Sequence, residues 1–129
     1  MTNHGAFIWN ELVTEEPEKC GPFYSEVFGW ERTETDAGPF GTYTTFSLDA
    51  TDVAGMMTPT GTNYGAAPPP RWNGYIAVDD IDAVLTTVER VGGTIHEPPQ
   101  EVPNVGRIAM FSDPSGGRIY VMQPVTASA

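Results

Sequence analysis

This chain contains an internal duplication. Phe46 and Phe111 are separated by the same number of residues as Pro59 and Pro124. In both halves an alternating stretch is followed by an apolar stripe with helical spacing, a glycine, and several short segments with strand character. The sequence therefore predicts two βαβββ modules built on one plan.

The first half begins with strand periodicity over residues 7–14, where apolar and polar side chains alternate. Acids and Pro17 then open a predicted helix, which Gly29 closes. Pro22 lies inside the apolar stripe, so either the regular helix begins at Gly21-Pro22 or its first turn is kinked. Further strands are predicted at residues 30–34, 41–48 and 53–58.

The second half repeats the order. It predicts a strand at residues 73–78, a cap at Asp79-Asp80, a helix over residues 81–91, and strands at 94–96, 106–112 and 118–122. Residues 59–71 are rich in Gly and Pro, show no periodicity and are predicted to be a linker. We therefore expect a single α+β domain over residues 1–129, with module one at 5–58 and module two at 72–124.

The charge is strongly acidic, with 17 acids against 6 bases and a net charge of -11. Nucleic acids and anionic membrane surfaces are therefore not expected as partners, because both are bound by clustered Lys and Arg. Cys20 is the only cysteine, which excludes an internal disulfide. No apolar run approaches the roughly 18 residues of a membrane span, and the N-terminal residues lack a signal-peptide pattern. We expect a cytoplasmic protein.

Several segments together carry a resemblance to a known family. They are Glu16-Pro17-Glu18-Lys19, Phe23-Tyr24, Phe28-Gly29-Trp30, residues 75–82 (YIAVDDID), Gly92-Gly93 and Asp113-Pro114-Ser115-Gly116. In this order, on a duplicated frame, they resemble the vicinal oxygen chelate superfamily, which includes glyoxalase I, bleomycin resistance proteins and extradiol dioxygenases. The resemblance is nearest to glyoxalase-like proteins often labelled hydroxylases. It implies curled sheets around a cup for small molecules, and a homodimer.

The resemblance also implies where a divalent metal would be bound in metal-dependent members. By register, the four ligand positions correspond to Trp9, Gly55, Asn73 and Tyr120. Trp and Gly offer no ligand atom, and neutral Asn and Tyr are poor ligands for a divalent ion. A register slip of one residue gives no better set. We therefore expect a member that has lost the metal site and needs no cofactor.

Glu11 shares a face with Trp9 in the predicted first strand. A carboxylate among aromatic side chains is partly desolvated, which raises its pKa and suits a general base. Tyr120 would supply the hydroxyl of such a catalytic pair. The alternative is a structural acid that forms an ion pair with an arginine such as Arg118.

A second set of side chains could line the cup around a planar or apolar ligand: Trp9, Tyr43, Asn73, Tyr75, Arg118, Tyr120 and Met122. Alternatively, the aromatic residues simply fill the cup. His4 and His96 are the only histidines, fall at no ligand position and are expected on the surface. The favoured function is small-molecule binding without a metal. The alternatives are a metal-independent enzyme that uses Glu11 as a base and a metal-dependent lyase or dioxygenase with unusual ligands.

Overall fold

The computed structural model describes residues 3–36, 41–58, 70–102 and 105–125. The N-terminal half contains β1 (Phe7–Val13), α1 (Pro17–Phe28), β2 (Glu31–Asp36), β3 (Thr42–Leu48) and β4 (Thr51–Met57). The C-terminal half contains β5 (Arg71–Ala77), α2 (Ile81–Arg90), β6 (Thr94–Val102), β7 (Gly106–Ser112) and β8 (Arg118–Pro124). The α+β class and the two βαβββ modules are confirmed. Of the predicted linker, residues 59–69 lie outside the described residues, and Arg71 already belongs to β5.

The chain divides into two compact units. The N-terminal unit runs from Trp9 to Asn73, and the C-terminal unit runs from Gly74 onward and includes the N-terminal residues up to Ile8. The strand order is β2-β3-β4-β1 in the N-terminal unit and β5-β8-β7-β6 in the C-terminal unit. The N-terminal residues join the C-terminal unit through backbone hydrogen bonds, since Gly5 N–H donates to Ala77 at 2.8 Å and Ala77 N–H donates to Ala6 at 2.9 Å.

Helix α1 ends where predicted, and α2 begins where predicted but ends at Arg90, one residue before the predicted end. Helix α1 begins at Pro17 and continues through Pro22, which removes one internal hydrogen bond. It ends at Gly29, whose φ of 75° is accessible to glycine without strain. Helix α2 begins after Asp80, whose carboxylate accepts from the Ala83 N–H at 3.1 Å. No helix among the described residues is long and apolar enough to cross a membrane.

Each unit buries one face of its sheet against its helix. In the N-terminal unit the core consists of Leu12, Phe46, Ala54 and Met56, with Cys20 and Tyr24 of α1 packed on it. In the C-terminal unit it consists of Val78, Ile81, Leu85, Ala109 and Val121. Side chains alternate along a strand, so the intervening residues lie on the opposite face. We call this opposite face the helix-free face of each unit.

Strand β6 is longer than predicted, because it extends through Pro98 and Pro99 to Val102. Prolines lack the N–H that a central strand needs, but β6 lies at the end of its unit's strand order. The pairing with β7 also shifts between Ile95 and Glu97 and again between Glu97 and Gln100. These irregularities accommodate the two prolines within an edge strand.

Candidate functional site

The helix-free face of the N-terminal unit carries a pair of aromatic side chains. The Trp9 Nε1–H donates to the Tyr43 hydroxyl at 2.8 Å. Tyr43 lies over Gly55, and a Cβ at Gly55 would overlap its hydroxyl and ring carbons. Tyr43 therefore occupies the space that any side chain at position 55 would need.

Glu11 lies beside this pair. Its Cα partner on β4 is Gly55, so both residues share the helix-free face with Trp9, two positions earlier on β1. The predicted shared face of Glu11 and Trp9 is thus observed. The side chain is buried, with the residue only 4% exposed, and it has interaction partners. A buried carboxylate in this position is compatible with either a structural or a chemical role.

Asn73 is the second buried polar residue of the N-terminal unit's site. Its Oδ1 accepts from Arg71 Nε at 2.9 Å, and the residue is 8% exposed. Its Nδ2 is buried and has no hydrogen-bond partner among the described residues. A buried N–H without an acceptor costs about 1–3 kcal/mol. This amide is therefore suited to donate to a ligand oxygen.

The helix-free face of the C-terminal unit carries a stacked tyrosine pair. Tyr75 and Tyr120 are Cα partners on parallel strands, with ring centroids 4.8 Å apart and planes inclined by 29°. Both residues are buried. The Tyr120 hydroxyl donates to Glu97 Oε2 at 3.5 Å, a long contact. Met122 follows Tyr120 on the same face of β8, where its Cα partner on β7 is Ile108.

The same face also carries Ser112, a polar residue that was not among the predicted site residues. Ser112 on β7 is the Cα partner of Arg118, and its Oγ lies 2.8 Å from His96 Nε2. Ser112 is buried, whereas His96 is exposed as predicted. His4 is exposed too, and its Nδ1 accepts from the Asp79 N–H at 3.0 Å.

The predicted site residues fall into two groups. Trp9, Glu11 and Tyr43 share the helix-free face of the N-terminal unit. Asn73, on β5, is the last residue of the same unit. Tyr75, Arg118, Tyr120 and Met122 share the helix-free face of the C-terminal unit.

Sequence reasoning missed Ser112, Glu97 and Arg71, which touch these predicted residues. Ser112 could have been found from the predicted β7–β8 hairpin, since a short turn fixes which residues face Arg118. The contact between Glu97 and Tyr120 had no such signal, because it depends on the shifted pairing of β6.

The four positions that the resemblance implies as metal ligands do not fit a divalent ion. The Trp9 nitrogen is a hydrogen-bond donor, and Gly55 has no side chain. The Asn73 oxygen accepts from a guanidinium group, and Tyr120 donates to a carboxylate. Within residues 3–36, 41–58, 70–102 and 105–125, no three His, Cys, Asp or Glu side chains lie close enough together to hold a metal ion.

The Asp113-Pro114-Ser115-Gly116 motif is a structural turn between β7 and β8. Asp113 Oδ1 accepts from the Ser115 hydroxyl at 2.6 Å, the Ser115 N–H at 2.8 Å and the Gly117 N–H at 3.0 Å. These bonds, above all the one from the Ser115 hydroxyl, hold the pKa of Asp113 below its ordinary value. The motif positions the start of β8, where Arg118 and Tyr120 lie.

Comparison with known proteins gives a consistent result. Residues 6–121 match the profile of the Glyoxalase/Bleomycin resistance protein/Dioxygenase superfamily. The chain is 33% identical over 120 residues to a putative glyoxylase, CFP32, of Mycobacterium tuberculosis. The alignment covers 93% of this chain and 44% of that protein. It is 35% identical over 127 residues to the anthracycline biosynthesis protein DnrV of Streptomyces peucetius. This alignment covers 91% of this chain and 46% of that protein. The chain thus spans less than half the length of these two relatives.

Among solved structures, the fold is similar to that of methylmalonyl-CoA epimerase from Mycobacterium tuberculosis. The TM-score is 0.65 at 13% identity, covering 98% of this chain and 93% of the epimerase. At this identity the likeness concerns the fold alone. The duplicated modules, the profile match and the two relatives agree, and the chain belongs to the Glyoxalase/Bleomycin resistance protein/Dioxygenase superfamily.

Proposed function

We propose that this chain binds a small planar or apolar molecule on its helix-free faces without the help of a divalent metal. The observation that carries the proposal is the position of Tyr43. Its ring fills the space beside Gly55, where the resemblance implies a metal-binding carboxylate, and Trp9 holds its hydroxyl by a hydrogen bond. An aromatic surface therefore stands where metal-dependent members would coordinate an ion.

The remaining side chains support the same function. The stacked Tyr75 and Tyr120 rings lie buried beneath the helix-free face of the C-terminal unit and make it apolar, which favours planar or apolar partners. The buried Nδ2 of Asn73 supplies a donor that would orient a ligand oxygen. The names of similar proteins, a putative glyoxylase and an anthracycline biosynthesis protein, are compatible with a role in small-molecule chemistry.

A second candidate function is metal-independent acid–base catalysis. It is favoured by Glu11, a carboxylate only 4% exposed on the same face as Trp9. In this mechanism Glu11 would remove a proton from a substrate bound on the helix-free face of the N-terminal unit. We further propose that the protein is a homodimer, since the sheets of a small domain leave edges and apolar surface to cover. We also propose that it works in the cytoplasm.

The binding proposal can be tested with a panel of uncharged planar aromatic compounds and the purified chain. A compound that binds only the folded state raises the melting temperature, and calorimetric titration then gives its Kd. We expect Trp9→Leu to weaken binding of a confirmed compound that lies on the N-terminal unit's face, and Tyr75→Leu to weaken binding of one that lies on the C-terminal unit's face. Trp72→Leu is the matched control, because the Trp72 indole donates to the Tyr24 hydroxyl and the Tyr24 ring packs with the core on the α1 side of the sheet.

The proposal fails if no compound in the panel raises the melting temperature of the wild-type chain. It also fails if Trp9→Leu and Tyr75→Leu bind the confirmed compound as tightly as the wild type does. If Trp72→Leu alone weakens binding, the ligand is bound on the helix side instead.

A further inference from the structure

We propose that the ligand carries a carboxylate, which Arg118 and Ser112 bind on the helix-free face of the C-terminal unit. The inference rests on the proposed function and narrows its ligand to small planar or apolar carboxylic acids. The main observation concerns Arg118, whose Nη1 is buried and has no hydrogen-bond partner among the described residues.

Arg118 must find an acceptor for this buried nitrogen. A guanidinium group stays charged in proteins, so burial cannot neutralise it, and every buried N–H without an acceptor is costly. Arg118 is the first residue of β8 and shares a face with Tyr120. An acceptor brought by a ligand over this face would satisfy it.

The other arginine of this hairpin has a different arrangement. Arg107 lies on β7 and forms a two-pronged ion pair with Asp82, at 2.9 and 3.2 Å. Arg118 takes part neither in this ion pair nor in that of Lys19 with Glu16. The chain has 17 acids and 6 bases, so acidic side chains are plentiful in the sequence. An arginine without an acidic partner among the described residues is therefore suited to an external anion.

Ser112 adds a second donor at this place. It is 7% exposed, and antiparallel pairing places it directly opposite Arg118. Its Oγ lies 2.8 Å from His96 Nε2. When the His96 N–H donates to this oxygen, the Ser112 hydroxyl hydrogen remains available to an anion held by Arg118. One cationic residue and one hydroxyl donor thus stand on directly paired positions of the same face.

The surroundings favour a single negative charge over a multiply charged group. Glu97 is held by the Tyr120 hydroxyl one step along the same face, and the whole chain carries a net charge of -11. Both repel a dianion such as phosphate more strongly than a carboxylate. A carboxylate also matches the planar fork of a guanidinium group. The Tyr75–Tyr120 stack, buried beneath this face, provides the apolar surroundings that suit the planar or apolar body of such a molecule.

The test compares 2-naphthoate with 2-naphthamide, which have the same shape and differ in charge. We expect the wild-type chain to bind the acid more tightly than the amide. Arg118→Gln should weaken binding of the acid by about ten- to a hundredfold, the usual weight of a hydrogen bond to a charged group, and leave binding of the amide unchanged. Arg90→Gln is the matched control, because it removes the same charge from an exposed position in the last turn of α2.

A second measurement keeps the inference testable if Arg118→Gln does not fold. Sodium acetate is titrated into the isotope-labelled wild-type chain, with sodium chloride at equal ionic strength as the reference. We expect acetate to shift the NMR signals of Arg118 Nε–H and the Ser112 amide specifically.

The outcomes separate this inference from the function on which it rests. If the amide binds but Arg118→Gln binds the acid as the wild type does, or if acetate shifts neither signal, the carboxylate site is refuted and small-molecule binding stands. If acetate shifts both signals but neither aromatic probe binds, the anion site stands and the proposed aromatic ligand is refuted.

Discussion

The Trp9 indole N–H donates to the Tyr43 hydroxyl at 2.8 Å, and Tyr43 thereby lies over Gly55. This relationship joins three strands of the N-terminal unit, because Trp9 is on β1, Tyr43 on β3 and Gly55 on β4. Because Tyr43 fills this space, position 55 has room for glycine but not for a residue with a side chain.

Gly55→Ala should lower the free energy of unfolding by about 1–3 kcal/mol, the usual cost of overpacking. The added Cβ would displace Tyr43 and break its bond to Trp9. In a Tyr43→Ala background the same substitution should cost much less, since the space is already open. Urea unfolding of the four proteins measures this coupling. Equal costs in both backgrounds would contradict the packing relationship.

The protein should be purified without a stoichiometric divalent metal. The residues at the four implied ligand positions do not fit such an ion, as the donor at Trp9 and the bare backbone at Gly55 illustrate. Elemental analysis should find less than one equivalent of zinc, nickel, manganese and iron, and chelators should leave the melting temperature unchanged. One equivalent of any of these metals would reject metal independence.

Glu11→Gln separates the two candidate functions. If the chain is a binding protein, the variant should bind a confirmed ligand as the wild type does. The free energy of unfolding should fall by about 1–3 kcal/mol, because the amide does not reproduce the interactions of the buried carboxylate. If Glu11 is a general base, turnover should instead be lost through kcat while ligand affinity persists. Glu26→Gln on the exposed surface of α1 is the control for the charge change.

Asp113→Asn should lower the melting temperature at pH 7, because hydrogen bonds from Ser115 and Gly117 hold the pKa of the Asp113 carboxyl below its ordinary value. A depressed pKa contributes stability that is present above the unfolded value of about 3.9 and is lost as the pH falls through the folded value. The difference between variant and wild type should therefore shrink below about pH 4. Thermal unfolding at pH 7 and at pH values below 4 measures it, and a constant difference would argue against this role.

Light scattering should find a homodimer at micromolar concentration. The physical reason is that a small domain with short sheets leaves edges and apolar side chains uncovered, as Phe23 and Phe28 illustrate, at 57% and 55% exposed. A mass near 13.9 kDa, the mass of one chain, would contradict this prediction.

The sequence alone determined the order of the elements and the identity of the core faces. Alternation and helical spacing are local properties, so they located β1, α1 and α2 within a few residues, and the duplication supplied the βαβββ plan. The same alternation correctly put Glu11 on the face of Trp9 and Arg118 on the face of Tyr120. It did not reveal the length of β6, because prolines argue against a strand unless its place at an edge is known.

Which side chains meet depends on how the strands pair in three dimensions. Tyr43 and Gly55 approach each other because β3 and β4 pair in one particular register, and the long separation in sequence gives no sign of it. The contact between His96 and Ser112 likewise depends on a register shift between β6 and β7. The chemical type of a residue and the sheet face on which it lies can therefore be read from the local sequence. Which side chains touch, and which buried groups find a hydrogen-bond partner, depends on strand pairing, and the packing of the whole sheet sets that pairing.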